Sequence, residues 1–111
     1  MATQVNIFID QGANYSNIVT VAGTSGTALD LTGYTVASQM RKSYTSSTAY
    51  SLNAVIYNAS AGQVRLTLTA DQSEAITPGR YLYDLEITSG SGAKTRVVEG
   101  IATVTPQITQ I

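Results

Sequence analysis

Thr77-Pro78-Gly79-Arg80-Tyr81-Leu82-Tyr83-Asp84-Leu85-Glu86-Ile87 is the stretch whose reading decides the fold. Pro78-Gly79 is a turn signal, because proline pre-sets a negative φ and glycine accepts a positive one at no steric cost. Behind it, Tyr81, Tyr83, Leu85 and Ile87 recur at period two, while Arg80, Asp84 and Glu86 take the other parity. That alternation predicts a half-buried antiparallel strand, with one face in a core and one in water. Leu82 breaks the pattern on the wet face, which marks it as a candidate contact. A tyrosine-rich strand entered from a tight turn suits the centre of a small β-sandwich, where rings bury area and hydroxyls need partners.

The flanking chain supplies more strands of the same kind. Gln4 to Asp10 places Val5, Ile7 and Ile9 on one parity, and Asp10-Gln11-Gly12 ends it. Tyr15 to Ala22 reads as a second strand, followed by a Gly/Ser/Thr turn and the apolar anchor Leu29-Asp30-Leu31-Thr32-Gly33-Tyr34. Tyr34 to Lys42 gives a third, with Tyr34, Val36, Ser38 and Met40 alternating against Ala37, Gln39 and Arg41. The polar run 43–48 reads as a hairpin loop. Ala49 to Tyr57 forms a fourth strand, and Gln63 to Thr69 a fifth with Val64, Leu66 and Leu68 inward. Asp71 to Ile76 is the helical candidate, because Asp71 and Glu74 have capping-box spacing.

Arg80 to Thr88 then pairs with Ala93 to Thr105 across a Ser/Gly turn. An odd-length loop sets Asp84 and Glu86 beside Arg96 and Lys94, and the unlike charges favour it over an even one. In the last strand Val97 and Ile101 disagree in parity with Val98, Ala102 and Val104, which calls for a bulge near Gly100. Pro106 stops the pairing. The whole is expected to be one all-β domain over 1–111, an immunoglobulin-like antiparallel β-sandwich of about seven strands with one short helical turn. Residues 106–111 form a candidate extended tail. A small closed barrel is the alternative.

The 111 residues carry only 12% charge against 43% hydrophobic content, and a net charge of −1. Average domains hold about twice that charge. A neutral polar surface suits packing against copies or neighbours, and it equally suits an ordinary Thr-rich β domain. Clustered Lys and Arg for nucleic acid are missing, as is an apolar run of the roughly 20 residues that span a bilayer. No signal-peptide pattern opens the chain, so production in the cytoplasm is expected.

With no His and no Cys, the commonest general base and the thiolate nucleophile and metal ligand are absent. Asp84 and Glu86, two apart on one strand face, are the remaining carboxylate pair. Glycosidases use two carboxylates, but a solvated face paired with Lys94 and Arg96 needs nothing more and is the reading taken. Asp10, Asp30 and Asp71 sit at turns without Ca²⁺-loop spacing. No catalytic residue, cofactor or metal is therefore expected. Tyr44, Tyr50 and Tyr57 flank the polar loop and could stack on a sugar or a partner, or belong to the core rim. Ile108 and Ile111 lie past the Pro106 stop, where a leftover segment can add to a neighbour's sheet edge. The candidate partner contacts are thus Leu82, Ile108, Ile111, Tyr44 and Tyr50.

Several segments taken in succession carry a resemblance. They are Phe8-Ile9-Asp10-Gln11-Gly12, Leu29 to Thr35, Gln39-Met40-Arg41-Lys42, Pro78 to Ile87, and Arg96-Val97-Val98-Glu99-Gly100 followed by Val104-Thr105-Pro106. Together they resemble small phage-encoded virion proteins with an immunoglobulin-like or baseplate-upper-protein-like N-terminal fold. The resemblance implies a structural role in a tailed phage, in the tail, neck or baseplate, with other virion proteins as partners, and the sparsely charged polar surface adds the expectation of a homo-oligomer. Capsid decoration and a carbohydrate-binding or adhesion module are the alternatives. In larger relatives a fibre or receptor-binding region follows such a domain, and with the chain stopping at Ile111 that role is not expected. The implied location is the virion, assembled in the host cytoplasm.

Overall fold

The alternation in the tyrosine strand becomes the middle of one sheet, and that sheet closes over a second, smaller one. The computed structural model describes residues 3–22 and 27–108. Nine strands are described: β1 (Thr3–Gln4), β2 (Ile7–Asp10), β3 (Tyr15–Thr20), β4 (Thr35–Arg41), β5 (Tyr50–Ser51), β6 (Val55–Asn58), β7 (Gln63–Leu68), β8 (Gly79–Thr88) and β9 (Lys94–Thr105), with a helix α1 (Ala70–Glu74) between β7 and β8. The first sheet runs β1-β9-β8-β4-β5 with β2 also on β9, and the second runs β3-β7-β6. Pairing is antiparallel except along β9, where β1 and β2 lie parallel to it. With β1 and β2 as strand A, this is the immunoglobulin-like arrangement, B-E-D on one layer and C-F-G on the other. The two sheets stay separate, so the closed barrel is not formed.

Burial follows the period-two reading closely. Tyr81, Tyr83, Leu85 and Ile87 of β8 all face the core, as do Val64, Leu66 and Leu68 of β7. Leu31, Met40, Leu52, Leu66 and Leu85 are at 0% exposure. Leu31 anchors its loop there, its N–H donating to the Ala59 carbonyl at 2.9 Å. Gly79 takes the positive φ expected of it, +144°. Tyr81, just inside β8, donates its hydroxyl to the Thr77 carbonyl at 2.6 Å. That backward bond at the entry of strand F is a tyrosine corner, which pins the crossover between sheets.

The first strand, expected over Gln4 to Asp10, is interrupted at Val5 and Asn6 into β1 and β2, and three further elements depart from expectation. The strand expected over Ala49 to Tyr57 is broken into β5, in the first sheet, and β6, in the second. Asn53 makes the crossing with φ +51°, and its side-chain amide donates to Thr67 O and Gln72 Oε1. Asparagine tolerates that left-handed backbone better than most residues. The helix is capped two residues early, by Thr69 rather than Asp71. Thr69 Oγ1 accepts from Gln72 N while Gln72 Oε1 accepts from Thr69 N, a reciprocal capping box. Finally, the bulge falls where Leu85 pairs with Val98 and Glu86 with Arg96, so Val97 is the extra residue, not one near Gly100.

The helix and tail are tied to the β2–β3 turn. Ser73 Oγ, buried at 0% exposure, accepts from Gly12 N and donates toward Ala13 O at 2.8 Å. Gln11 reaches the Glu74 and Ile76 carbonyls and accepts from Gln107 N. β9 ends at Thr105, before Pro106, as the missing proline N–H requires.

Candidate functional site

The Val97 bulge also builds the outer face of the first sheet. Beyond it the parity of β9 is reversed, so Val98, Ala102 and Val104 turn inward and Glu99 and Ile101 turn outward. Ile101 then stands opposite Leu82, and Leu82 opposite Arg41 on β4. The one apolar residue on the wet parity of β8 thereby acquires an apolar neighbour. Ile101 escaped sequence reasoning because its parity depends on where the bulge sits. The parity clash between Val97 and Val98 was the available signal.

Leu82 and Ile101 lie in an open hollow of about 460 Å³, shared with Gln4, Gln39, Asp84, Glu86, Arg96 and Glu99. Tyr44, 78% exposed, stands at its rim on the 43–48 loop. Arg41 holds that loop in place, donating from Nη1 to the Ser46 carbonyl at 2.7 Å.

The charges beside the apolar pair are organised by Arg96. Its Nε is 3.1 Å from Asp84 Oδ2, and its Nη1 is 3.6 Å from Glu99 Oε2. The β8–β9 turn is odd-length, as the charges favoured, but the register is displaced by two residues. Glu86 faces Arg96, and Lys94 faces Thr88. Burial and then the neighbouring Glu86 raise the Asp84 pKa, against the opposing pull of Arg96. Asp84 and Glu99 share the Arg96 guanidinium, and with Glu86 they make three carboxylates against Arg41 and Arg96 around the hollow, so the face is mildly acidic. Its charges are partly exposed and screened, and each pair contributes little to stability.

The other sequence candidates lie elsewhere. Tyr50 packs edge-on against Tyr81, ring centroids 5.8 Å apart at 80°, and belongs to the core rim. Tyr57 lies on the outer face of the second sheet under Arg65, whose guanidinium carbon is 5.6 Å from the ring centre. Ile108, 95% exposed, borders a separate shallow hollow with Gln11 and Pro106. Ile111 lies outside the described residues. Leu82 and Tyr44 are therefore the two candidates brought together. Among the described residues, no group of three or more His, Cys, Asp or Glu side chains is placed to hold a metal, and no helix is long and apolar enough to cross a membrane.

Comparison with known proteins bears on the fold. The chain is similar to the N-terminal domain of phage TP901-1 ORF48, with a TM-score of 0.63 at 9% identity over 90% of this chain and 84% of that one. Weaker likenesses cover most of this chain but under a third of the other: an internalin-like protein of Listeria monocytogenes, lmo2027 (TM-score 0.46, 12% identity, 94% and 28% covered), and a family 123 glycoside hydrolase from Clostridium perfringens (0.39, 9%, 95% and 23%). No family model and no curated protein sequence matches the chain.

Proposed function

We propose that this protein is a non-catalytic structural component of a tailed-phage particle, an adaptor of the tail, neck or baseplate. It docks a neighbouring virion protein on the outer face of its first sheet. The observation that carries this reading is the Leu82–Ile101 pair, set in a hollow on a face that otherwise alternates into water. An apolar centre, an exposed tyrosine and a rim of polar and charged groups are the anatomy of a protein contact. The acidic balance of Asp84, Glu86 and Glu99 against Arg41 and Arg96 suits a partner with an apolar or aromatic knob beside a basic residue. The likeness to the N-terminal domain of a phage protein supports the setting, as does the ordered set of sequence segments. Asp84 and Glu99 are engaged by Arg96, which supports reading these carboxylates as part of a cation-paired face.

Mass spectrometry of purified particles with immunogold labelling tests membership and separates tail from capsid at once. Leu82→Asp should fold normally and be incorporated at least about tenfold less, the effect of losing on the order of 1.4 kcal/mol at the contact. Absence of the wild-type protein from particles, or full incorporation of Leu82→Asp, would overturn the reading. Label on the capsid would favour decoration instead.

One observation favours a second reading. Tyr44 offers a free ring beside a hollow lined by Gln4, Gln39, Arg41 and the carboxylates, a set suited to hydrogen-bonding sugar hydroxyls. Glycan-array binding by the wild type that Tyr44→Ala abolishes would select it.

A further inference from the structure

The second sheet ends in a strand with an open side. β3 pairs with β7 along one side, and among the described residues no strand adjoins the other. Val21, just past β3, donates its N–H to the Gly62 carbonyl at 2.7 Å, toward the β7 side. Backbone groups of successive strand residues alternate in direction, so the N–H and C=O groups of Ser16, Ile18 and Thr20 are aimed at the open side.

Folded proteins blunt such edges with charge, proline, a bulge or shortness, because a bare edge is a template for another strand. The terminal strands at the other edges of this sandwich carry such devices. β5 is two residues long, β6 shifts register between Ile56 and Asn58, and the β1–β2 edge is interrupted at Val5 and Asn6. β3 has none of them. Tyr15-Ser16-Asn17-Ile18-Val19-Thr20 is six residues without charge or proline, in unbroken register with β7. Ile18, near its middle, is 42% exposed on the outer face.

We propose that β3 is a homodimerisation edge, on which a second copy of this chain lays its own β3 antiparallel about a two-fold axis at Ile18. That register sets Ile18 against its equivalent and Ser16 against the partner's Thr20. The outward-aimed residues are symmetric about Ile18, so every free N–H and C=O on the edge meets a complement. The two isoleucines then cover each other on the outer face. Charge permits the pairing: β3 carries no charge, and the charged residue of its β7 neighbour is Arg65, opposite Ile18. Across the joint the two arginines stand three strand spacings apart, roughly 14 Å, beyond the screening length of about 8–10 Å. Six residues a side is far below the roughly 20–30 of a standard interface, which puts the dimer in the micromolar-to-millimolar range. This inference uses a different face from the phage-adaptor contact and does not depend on it.

The absence of cysteine makes the register directly readable. Ile18→Cys should form a disulfide dimer on oxidation, since opposed hydrogen-bonded residues stand about 5.5 Å apart at Cα, within disulfide reach. It should do so at least about tenfold faster than Ser91→Cys, an exposed turn position that reports random collision. Ser16→Cys mixed with Thr20→Cys should cross-link to each other faster than either alone. In sedimentation equilibrium the wild-type mass should rise from 11.7 kDa toward twice that value, whereas Ile18→Lys, with an unchanged circular dichroism spectrum, stays monomeric. A wild-type monomer at about 1 mM would overturn the proposal. So would cross-linking of Ile18→Cys no faster than Ser91→Cys, or a dimer that Ile18→Lys leaves intact.

Discussion

Tyr83 crosses the buried side of the first sheet at its pair, Gly100, and donates its hydroxyl to the Val5 carbonyl at 2.5 Å. Burial, with Tyr15 nearby, pushes its pKa up to about 12 from 10.0. Below pH 10 both folded and unfolded chains hold this proton, and the stabilisation is complete. Between 10 and 12 the unfolded chain releases it while the folded one does not, so stability falls as pH rises through that window. The full shift corresponds to about 2–3 kcal/mol. Tyr83→Phe should cost about 1–2 kcal/mol at pH 7, through the lost hydrogen bond. Its disadvantage should shrink or vanish near pH 12. Urea midpoints of both proteins at pH 7, 10 and 11.5 measure this, and parallel curves would place the alkaline sensitivity elsewhere.

At the scale of elements, β9 is the strand on which the most depends. It pairs with β8 on one side and with β1 and β2 on the other. A Cβ added at Gly100 would stand 2.0 Å from the Val5 carbonyl oxygen, too close without displacing backbone. Gly100→Ala should therefore cost about 1–3 kcal/mol by overpacking, and it should speed hydrogen exchange at Val5, whose N–H donates to Glu99 O. Unchanged exchange would mean that the N-terminal segment adapts freely. Val97 offers a harsher test. Deleting it removes the extra residue and turns Val98, Ala102 and Val104 toward water, because side-chain direction alternates along a strand. Loss of a cooperative unfolding transition is the expected outcome, measured by calorimetry.

At the scale of the whole molecule, the sparse charge leaves apolar side chains on both outer faces. Leu82 and Ile101 lie on one, and Ile18, Val55 and Tyr57 on the other. The first group is set in a hollow with a charged rim. Neither group is needed for the core, so Leu82→Asp should change unfolding free energy by roughly 0.5 kcal/mol or less. A large destabilisation would show that Leu82 serves the fold, and would remove it as a contact. Separating fold from assembly in this way makes the particle-incorporation result interpretable.

Period-two spacing was enough to assign the inward faces of β7 and β8, because a strand's alternation is local and needs no partner, and the apolar run closed by a Gly turn was enough to mark Leu31 as an anchor. The turn at Gly79 was legible for the same reason, since its backbone preference belongs to the residue. Three things waited for the tertiary structure. Asn53 divides one apparent strand between two sheets, a choice made by which neighbour each half can reach. The bulge at Val97 depends on how β8 and β9 jointly meet the core, and a single strand's pattern shows only that some bulge is needed. The Leu82–Ile101 hollow follows from that bulge. Tyr44 could be suspected from its loop, but its place beside Leu82 arises from residues 38 positions apart meeting through β4–β8 pairing.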